Sequence, residues 1–243
     1  MSLQPITYTT RTIQHAVLNE VLLLAGLAAL LWVKWARGQL DFYIHPRYAT
    51  LVLVSAIILF LMAGVRLRQV FAARPTRNLG WTYLLVALPL VFGTLVPAQP
   101  LGANTLIARG LEPSTAVNVS SWQPSLDSDS SDWDLLQWAV ALSFYGPELD
   151  DRPVDVIGFV FQDARAGADH FYVARYVITC CAADGVSVGM PVAWAGGETL
   201  PLDDWVRVRG TLTTTVVAGV EQATIVATAV EPVAAPHSPY LYP

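Results

Sequence analysis

The sequence predicts an α+β membrane protein, with three N-terminal transmembrane helices followed by a small five-stranded OB-like β-barrel. Three observations carry that prediction. Of 243 residues, 54% are apolar and only 14% are charged, and the mean hydropathy of +0.46 lies well above that of an ordinary soluble domain. The charge is split. Residues 1–100 hold eight Lys/Arg against two acids, a balance of +6, whereas residues 101–243 hold six against seventeen, a balance of −11. Past Asp150 the apolar period also changes from helical to alternating. This composition excludes a disordered chain, and two cysteines cannot build a disulfide scaffold.

A bilayer core of about 30 Å takes roughly 20 apolar residues of helix. Residues 16–33, 48–65 and 79–97 meet that length, and the last two contain no charge. The first is read as an anchor rather than a signal peptide, because Lys34-Trp35-Ala36-Arg37 follows it in place of a small-residue cleavage site. Trp81 and Tyr83 open the third span as interfacial aromatics, and Pro89 within it is expected to kink the helix.

Orientation follows the basic residues of short loops. Arg66, Arg68, Arg74 and Arg77 lie between the second and third spans without an acid, which places that loop and the N-terminus in the cytoplasm. Lys34, Arg37 and Arg47 lie with Asp41 in the opposite loop, and no basic residue follows the third span until Arg109. The expectation is a multi-pass plasma-membrane protein with an extracytoplasmic C-terminal domain. Glu20 admits two readings. Either its carboxylate reaches water at the headgroup level, or it faces a partner helix and joins an ion path, intramembrane carboxylates being costly.

Residues 1–98 are thus assigned to the membrane domain, and the Ser/Asp-rich stretch 99–131 to a linker. Residues 132–232 form the soluble domain. It opens with a helix over 132–145, on whose face Leu135, Leu136, Ala139 and Leu142 recur. Strands follow over 154–161, 171–179, 187–194, 205–212 and 223–230, separated by turn signals at Ala166-Gly167, Asp184-Gly185, Gly196-Gly197 and Ala218-Gly219. In the fourth, Val206, Val208 and Leu212 share one face, and Arg207 and Arg209 the other. Five short strands with Gly158 and Gly210 inside them suit a closed OB-like barrel. Residues 233–243 form a Pro-rich tail.

The unusual chemical signature is Cys180-Cys181-Ala182-Ala183-Asp184, which follows Arg175-Tyr176-Val177-Ile178-Thr179. A strand continuing through both cysteines would point their side chains to opposite faces. Shared binding of one ion therefore requires the strand to break at Cys180. A thiolate pair suits Zn²⁺ or Cu(I), but a structural zinc site takes four ligands, and only Asp184, His170 and the more distant His45 are candidates to complete it. The alternatives are two small buried cysteines or a bond between neighbours. Arg175 is a candidate partner for Asp184 or another strand acid. Asp203 and Asp204 read as a solvated turn rather than a catalytic pair.

Tyr43-Ile44-His45-Pro46-Arg47, Val156-Ile157-Gly158-Phe159-Val160, the Arg175–Asp184 run and Asp204-Trp205-Val206-Arg207-Val208-Arg209-Gly210, together with the three spans, resemble the YcgQ-type permease-subunit family of bacteria. The resemblance covers nearly the whole chain, and Cys-Cys-Ala-Ala-Asp is its most specific part. It implies a partner, a larger multi-span permease subunit, and links to metal homeostasis, zinc above all. It marks His45, Pro46, Arg47, Arg175, Cys180, Cys181, Asp184 and Trp205 without assigning any a chemical role. Physical reasoning adds the roles: Cys180, Cys181, Asp184 and His45 as metal ligands, and Arg175, Arg47 and Trp205 as binding residues, Arg47 toward lipid phosphate.

Three functions follow. The leading one is a non-catalytic accessory subunit of a membrane permease, whose outer domain captures or gates a solute, with zinc as the candidate ion. The second is a membrane-anchored thiol redox or metal-transfer protein using Cys180 and Cys181. The third is a tethered module that binds an envelope polymer. Nucleic acid is excluded as a partner by the −11 balance of the soluble half. Hydrolase triads, phosphate loops and cofactor fingerprints are missing from the sequence, so no enzyme is expected.

Overall fold

The computed structural model describes residues 10–71, 80–109, 125 and 127–243. The chain divides into two compact units, residues 1–40 with 46–99, and residues 41–45 with 100–243. Arg74 and Arg77 of the basic loop and most of the 99–131 stretch lie outside the described residues.

The first unit holds α1 (Thr10–Ala36), α2 (Ala49–Phe71) and α3 (Gly80–Leu95). Two helical segments, Val17–Ala36 and Pro46–Arg68, are long and apolar enough to cross a membrane, whereas the apolar Tyr83–Leu95 stretch is shorter. At 1.5 Å per residue, the 16 residues of α3 reach about 24 Å. The third of the expected spans is therefore a shorter helix than 79–97 suggests, and it continues through Pro89.

Small residues let α1 and α3 approach closely. A Cβ on Gly26 would meet Leu90, and one on Gly93 would meet Leu30, so each glycine receives a leucine from the other helix. Both pairs advance together along the sequence, so α1 and α3 run parallel. Glu20, ten residues into α1, accepts a 2.8 Å hydrogen bond from the Tyr83 hydroxyl in the first turn of α3. Its other oxygen lies 3.4 Å from Arg66 Nε near the end of α2. Glu20 thus faces the neighbouring helices α2 and α3. Large apolar side chains such as Leu51, Phe60, Leu61, Leu85 and Leu95 are exposed on α2 and α3.

The second unit holds α4 (Ala103–Arg109), α5 (Leu135–Tyr145), and strands β1 (Pro153–Phe161), β2 (His170–Val177), β3 (Val186–Ala193), β4 (Trp205–Val217), β5 (Val220–Pro232) and β6 (Tyr240–Leu241). Asp134 caps α5 by accepting from the Leu136 and Gln137 amides, and the Gln137 side chain accepts from the Asp134 amide in return.

β1 pairs antiparallel with β2 and β4, β2 with β3, and β4 with β5, while β3 and β5 pair in parallel. The pairings close a ring in the order β1-β2-β3-β5-β4-β1. β6 adds a short parallel rung to the far end of β2.

Val154, Val156, Val160, Val173, Val188, Val206, Val208, Leu212 and Ile225 fill a core closed by Trp138 of α5. Alternation along β4 is as expected: Val206, Val208 and Leu212 are buried, while Arg207 and Arg209 pair outside with Asp155 and Glu231. A second cluster covers the outer face of β1 and β2, where Phe159, Phe161, Tyr172 and Tyr176 pack with Ala103 and Leu106 of α4 and with Tyr240.

That second cluster corrects two expectations. The stretch read as a linker contains a helix whose Ala103 and Leu106 are buried, and the Pro-rich tail contains a strand whose Tyr240 and Leu241 are buried. Ser is the commonest residue of the first segment and Pro of the second, but a few apolar residues are enough to cover an exposed aromatic face. β4 and β5 also run well past 205–212 and 223–230 as a long hairpin.

Candidate functional site

β2 stays in register with β3 as far as Val177 and Val186, and then the chain turns. The strand ends at Val177, before Cys180, which meets the condition for the two cysteines to share a face, and Ala182–Asp184 fold as a single 3₁₀ turn. Its consequence is that Cys180 and Cys181 do not diverge. Their sulfurs lie 3.7 Å apart, both cysteines are free, Cys180 is exposed and Cys181 is partly buried.

Asp184 organises this loop by folding its carboxylate back over the preceding backbone. It accepts from the Cys180 amide at 2.8 Å and from the Thr179 and Cys181 amides at 3.3 Å. The Cys180 thiol donates toward Cys181 Sγ at 3.7 Å, and an Asp184 carboxylate oxygen lies within 4.8 Å of both sulfurs. Burial works against the Asp184 charge, but the thiol and the three amides outweigh it and hold the carboxyl below its ordinary range. Cys180 responds oppositely. The Asp184 carboxylate and then the Cys181 thiol hold its proton and push its pKa up to about 11.

A reactivity prediction follows. In a Cys181→Ser background, where Asp184, the largest raising cause, remains, Cys180 should alkylate slowly at neutral pH, with a pH midpoint above the ordinary thiol value. Adding Asp184→Asn should bring that midpoint down toward the ordinary thiol value. Stopped-flow or mass-spectrometric alkylation rates read both shifts, and a neutral-pH plateau in the Asp184-containing protein would contradict the assignment.

The same loop is fastened to the segment that joins α1 to α2 in sequence. Cys181 forms a β-bridge with Ile44. The His45 amide donates to Cys180 O at 2.9 Å, and the Ala182 amide donates to Tyr43 O at 2.8 Å. Asp41–His45 therefore belongs to the β-rich unit rather than to the helices it connects.

Of the four expected ligand residues, the structure gathers three. One ligand atom from each of Cys180, Cys181 and Asp184 lies within 4.8 Å of the others, and among the described residues this group does not include His45. Instead the His45 imidazole packs on Tyr242, with ring centroids 4.4 Å apart. Arg175 does not pair with Asp184. Its guanidinium donates to the carbonyls of Ser238, Pro239 and Tyr240 and lies 5.6 Å from the centre of the Trp205 ring. Arg47 belongs to the helical unit, where its guanidinium sits 5.7 Å from the Tyr48 ring centre. Asp203 is no idle turn residue, because its carboxylate accepts from the Ala103 amide at the start of α4.

Sequence reasoning missed the residues that brace the site. Tyr240 donates to Phe42 O at 3.0 Å and accepts from the Leu101 amide at 2.8 Å, and the Ile178 amide donates to Leu241 O. The available signal was Tyr240-Leu241-Tyr242, an aromatic and apolar cluster in a tail that composition alone marks as a loop.

A helical unit rich in exposed apolar residues, followed in sequence by a closed β-ring carrying a vicinal cysteine loop, defines the class. Residues 20–112 match the DUF1980 N-terminal domain and residues 126–243 match the DUF1980 C-terminal domain. The chain belongs to the DUF1980 family. It is 23% identical over 235 residues to a Streptococcus mutans protein, covering 79% of this chain and 86% of that one. That relative carries the provisional name of two-component membrane permease complex subunit. No solved structure matches the chain.

Proposed function

We propose that the chain is a non-catalytic accessory subunit of a two-component membrane permease. Its three helices cross the plasma membrane and dock a larger multi-span subunit, while its β-unit stands outside the cytoplasm and captures or gates a solute. The observation that carries this reading is the extent of the likeness: both family domains match in order, and the permease-subunit relative aligns across both. A role attached to one domain alone would not need that.

Physical features support the finer points. Gly26 receives Leu90 and Gly93 receives Leu30, so α1 and α3 run in the same direction, as an up-down-up arrangement requires. That geometry favours α3 as a third span despite its length, since a short helix can be accommodated by local thinning of the bilayer. The strand order β1-β2-β3-β5-β4-β1, with its parallel β3–β5 contact, supports an OB-like reading of the β-unit. Three helices with so little polar lining make a poor pore by themselves, so transport needs the second component.

The test is co-expression of the tagged chain with its multi-span partner, followed by purification in mild detergent. A complex of fixed stoichiometry that survives gel filtration is the expected result. Two components that elute separately would overturn the reading. Labelling with a membrane-impermeant maleimide tests the topology, because exposed Cys180 should react in intact cells at mildly alkaline pH. A unique cysteine replacing Ser128 serves as the exposed reference for that labelling.

A further inference from the structure

We propose that Cys180, Cys181 and Asp184 form an open three-ligand site for a tetrahedral, thiophilic divalent cation of the zinc and cadmium class. The proposal rests on the reading of the β-unit as a solute-capture domain and names the class of solute. The first argument is metric. Two metal–sulfur bonds of about 2.3 Å at the tetrahedral angle place their sulfurs about 3.8 Å apart. The cysteines already stand at 3.7 Å. A linear two-thiolate ion would hold them at roughly twice the bond length, so the pair suits tetrahedral geometry better than the digonal arrangement of Cu(I).

The second argument is the state of Asp184. A carboxylate offers about four lone-pair positions. Three amides occupy three of those of Asp184. A cation that binds the two sulfurs takes the fourth, and so gains the carboxylate as a third ligand without breaking any of the three backbone hydrogen bonds that shape the loop. Both thiol protons pass to solvent, and the dithiolate with the carboxylate carries the compensating charge. The loop is thus built in advance, and only protons leave.

The third argument concerns release. Three protein ligands leave one tetrahedral position for water or for an incoming donor, the arrangement of a site that exchanges its ion rather than storing it. The His45 ring, packed on Tyr242, is not in the ligand group. Yet the His45 amide is bonded to Cys180 O, and Ala182 N to Tyr43 O. Tightening of the loop around a cation is therefore felt first by Tyr43–His45, the segment that leads into the second membrane helix.

Full-length reduced protein in detergent is titrated with Co²⁺ and with Cd²⁺. The expected result is one ion per chain, with tetrahedral d–d bands for Co²⁺ and a thiolate charge-transfer band for Cd²⁺. Cys180→Ser and Cys181→Ser should each abolish the charge-transfer band, and Asp184→Asn should weaken binding by roughly tenfold or more. In hydrogen exchange, Cd²⁺ should slow the His45 and Ala182 amides in the parent protein and leave them unchanged in Cys180→Ser. Parent protein without the band, or a band that persists in Cys180→Ser, overturns the site. A permease complex that assembles normally while the band is missing condemns the metal site alone. A band in a chain that fails to join the permease condemns the permease reading alone.

Discussion

Gly210→Ala should unfold the β-unit under conditions where the parent chain is stable. Gly210 sits in β4 between Val154 of β1 and Ala227 of β5, at the register shift that follows Arg209. The extra residue is Thr228 of β5, and this bulge bends β5 where Gly210 of β4 passes closest to it. A Cβ there would fall against the Val226 carbonyl oxygen and 2.9 Å from Ala227 Cα. These are backbone atoms of a paired strand, which cannot rotate aside as a side chain would. Relief requires β4 and β5 to separate, and the expected loss is about 3 kcal/mol or more, at the upper end of overpacking costs. Gly219→Ala is the informative comparison. Gly219 has φ of +81° in the β4–β5 turn with open space around it, so a methyl group there meets no atom and incurs only backbone strain. That strain amounts to about 1 kcal/mol. Denaturation of the full chain in detergent, followed by near-ultraviolet circular dichroism, ranks the two. Equal midpoints would show that the ring tolerates a wider β4–β5 spacing than the bulge implies.

Gly210 also shows how unevenly the fold is legible in the sequence. Its position inside an otherwise alternating strand signals an irregularity in its pairing, and the alternation of Val206, Val208 and Leu212 against Arg207 and Arg209 assigns the faces correctly. Both signals are local, and period-2 patterning needs no knowledge of the partner strand. What the alternation cannot reveal is a second cover. Phe159 and Phe161 lie on the outer face of β1, yet they are buried because Leu106 and Tyr240, some fifty residues before and eighty after, close over them. The site divides along the same line. The Cys180–Asp184 grouping is local, confined to five consecutive residues, and is open to reading from spacing. The attachment to Tyr43–His45 and to residues 238–242 joins segments about 140 and 60 residues away. Nothing in a period or a motif encodes such a contact. For the same reason Arg175 was matched to the wrong partner, since Asp184 spends its acceptors on its own loop and three carbonyls of the tail take the guanidinium instead.

Arg175→Ala should free the C-terminal segment and loosen the brace behind the cysteine loop while leaving the loop itself formed. The guanidinium is largely enclosed, and burial draws its pKa below the usual arginine value, though an arginine stays charged in proteins. Its charge is offset by carbonyl dipoles at 2.7, 3.2 and 3.3 Å from Ser238, Pro239 and Tyr240. Hydrogen bonds to a charged donor are worth about 1.5–3 kcal/mol each, but three that share one guanidinium are not additive, so a loss of about 2–4 kcal/mol is expected for the variant. The consequence is directional. Without Arg175, the pairing of β6 with Tyr176 and Val177 should fray. The Tyr242 ring should leave His45, and carboxypeptidase or a nonspecific protease should remove the tail many times faster than from the parent. Lysine should rescue little, because one ammonium cannot reproduce the planar fork that meets three successive carbonyls. Thiol alkylation separates this brace from the site it supports. Cys180 is held by Asp184 and by amides of its own turn, so its pH midpoint should stay near that of the parent in Arg175→Ala. A midpoint that fell as far as in Asp184→Asn would show that the tail, rather than the turn, holds the two cysteines in place.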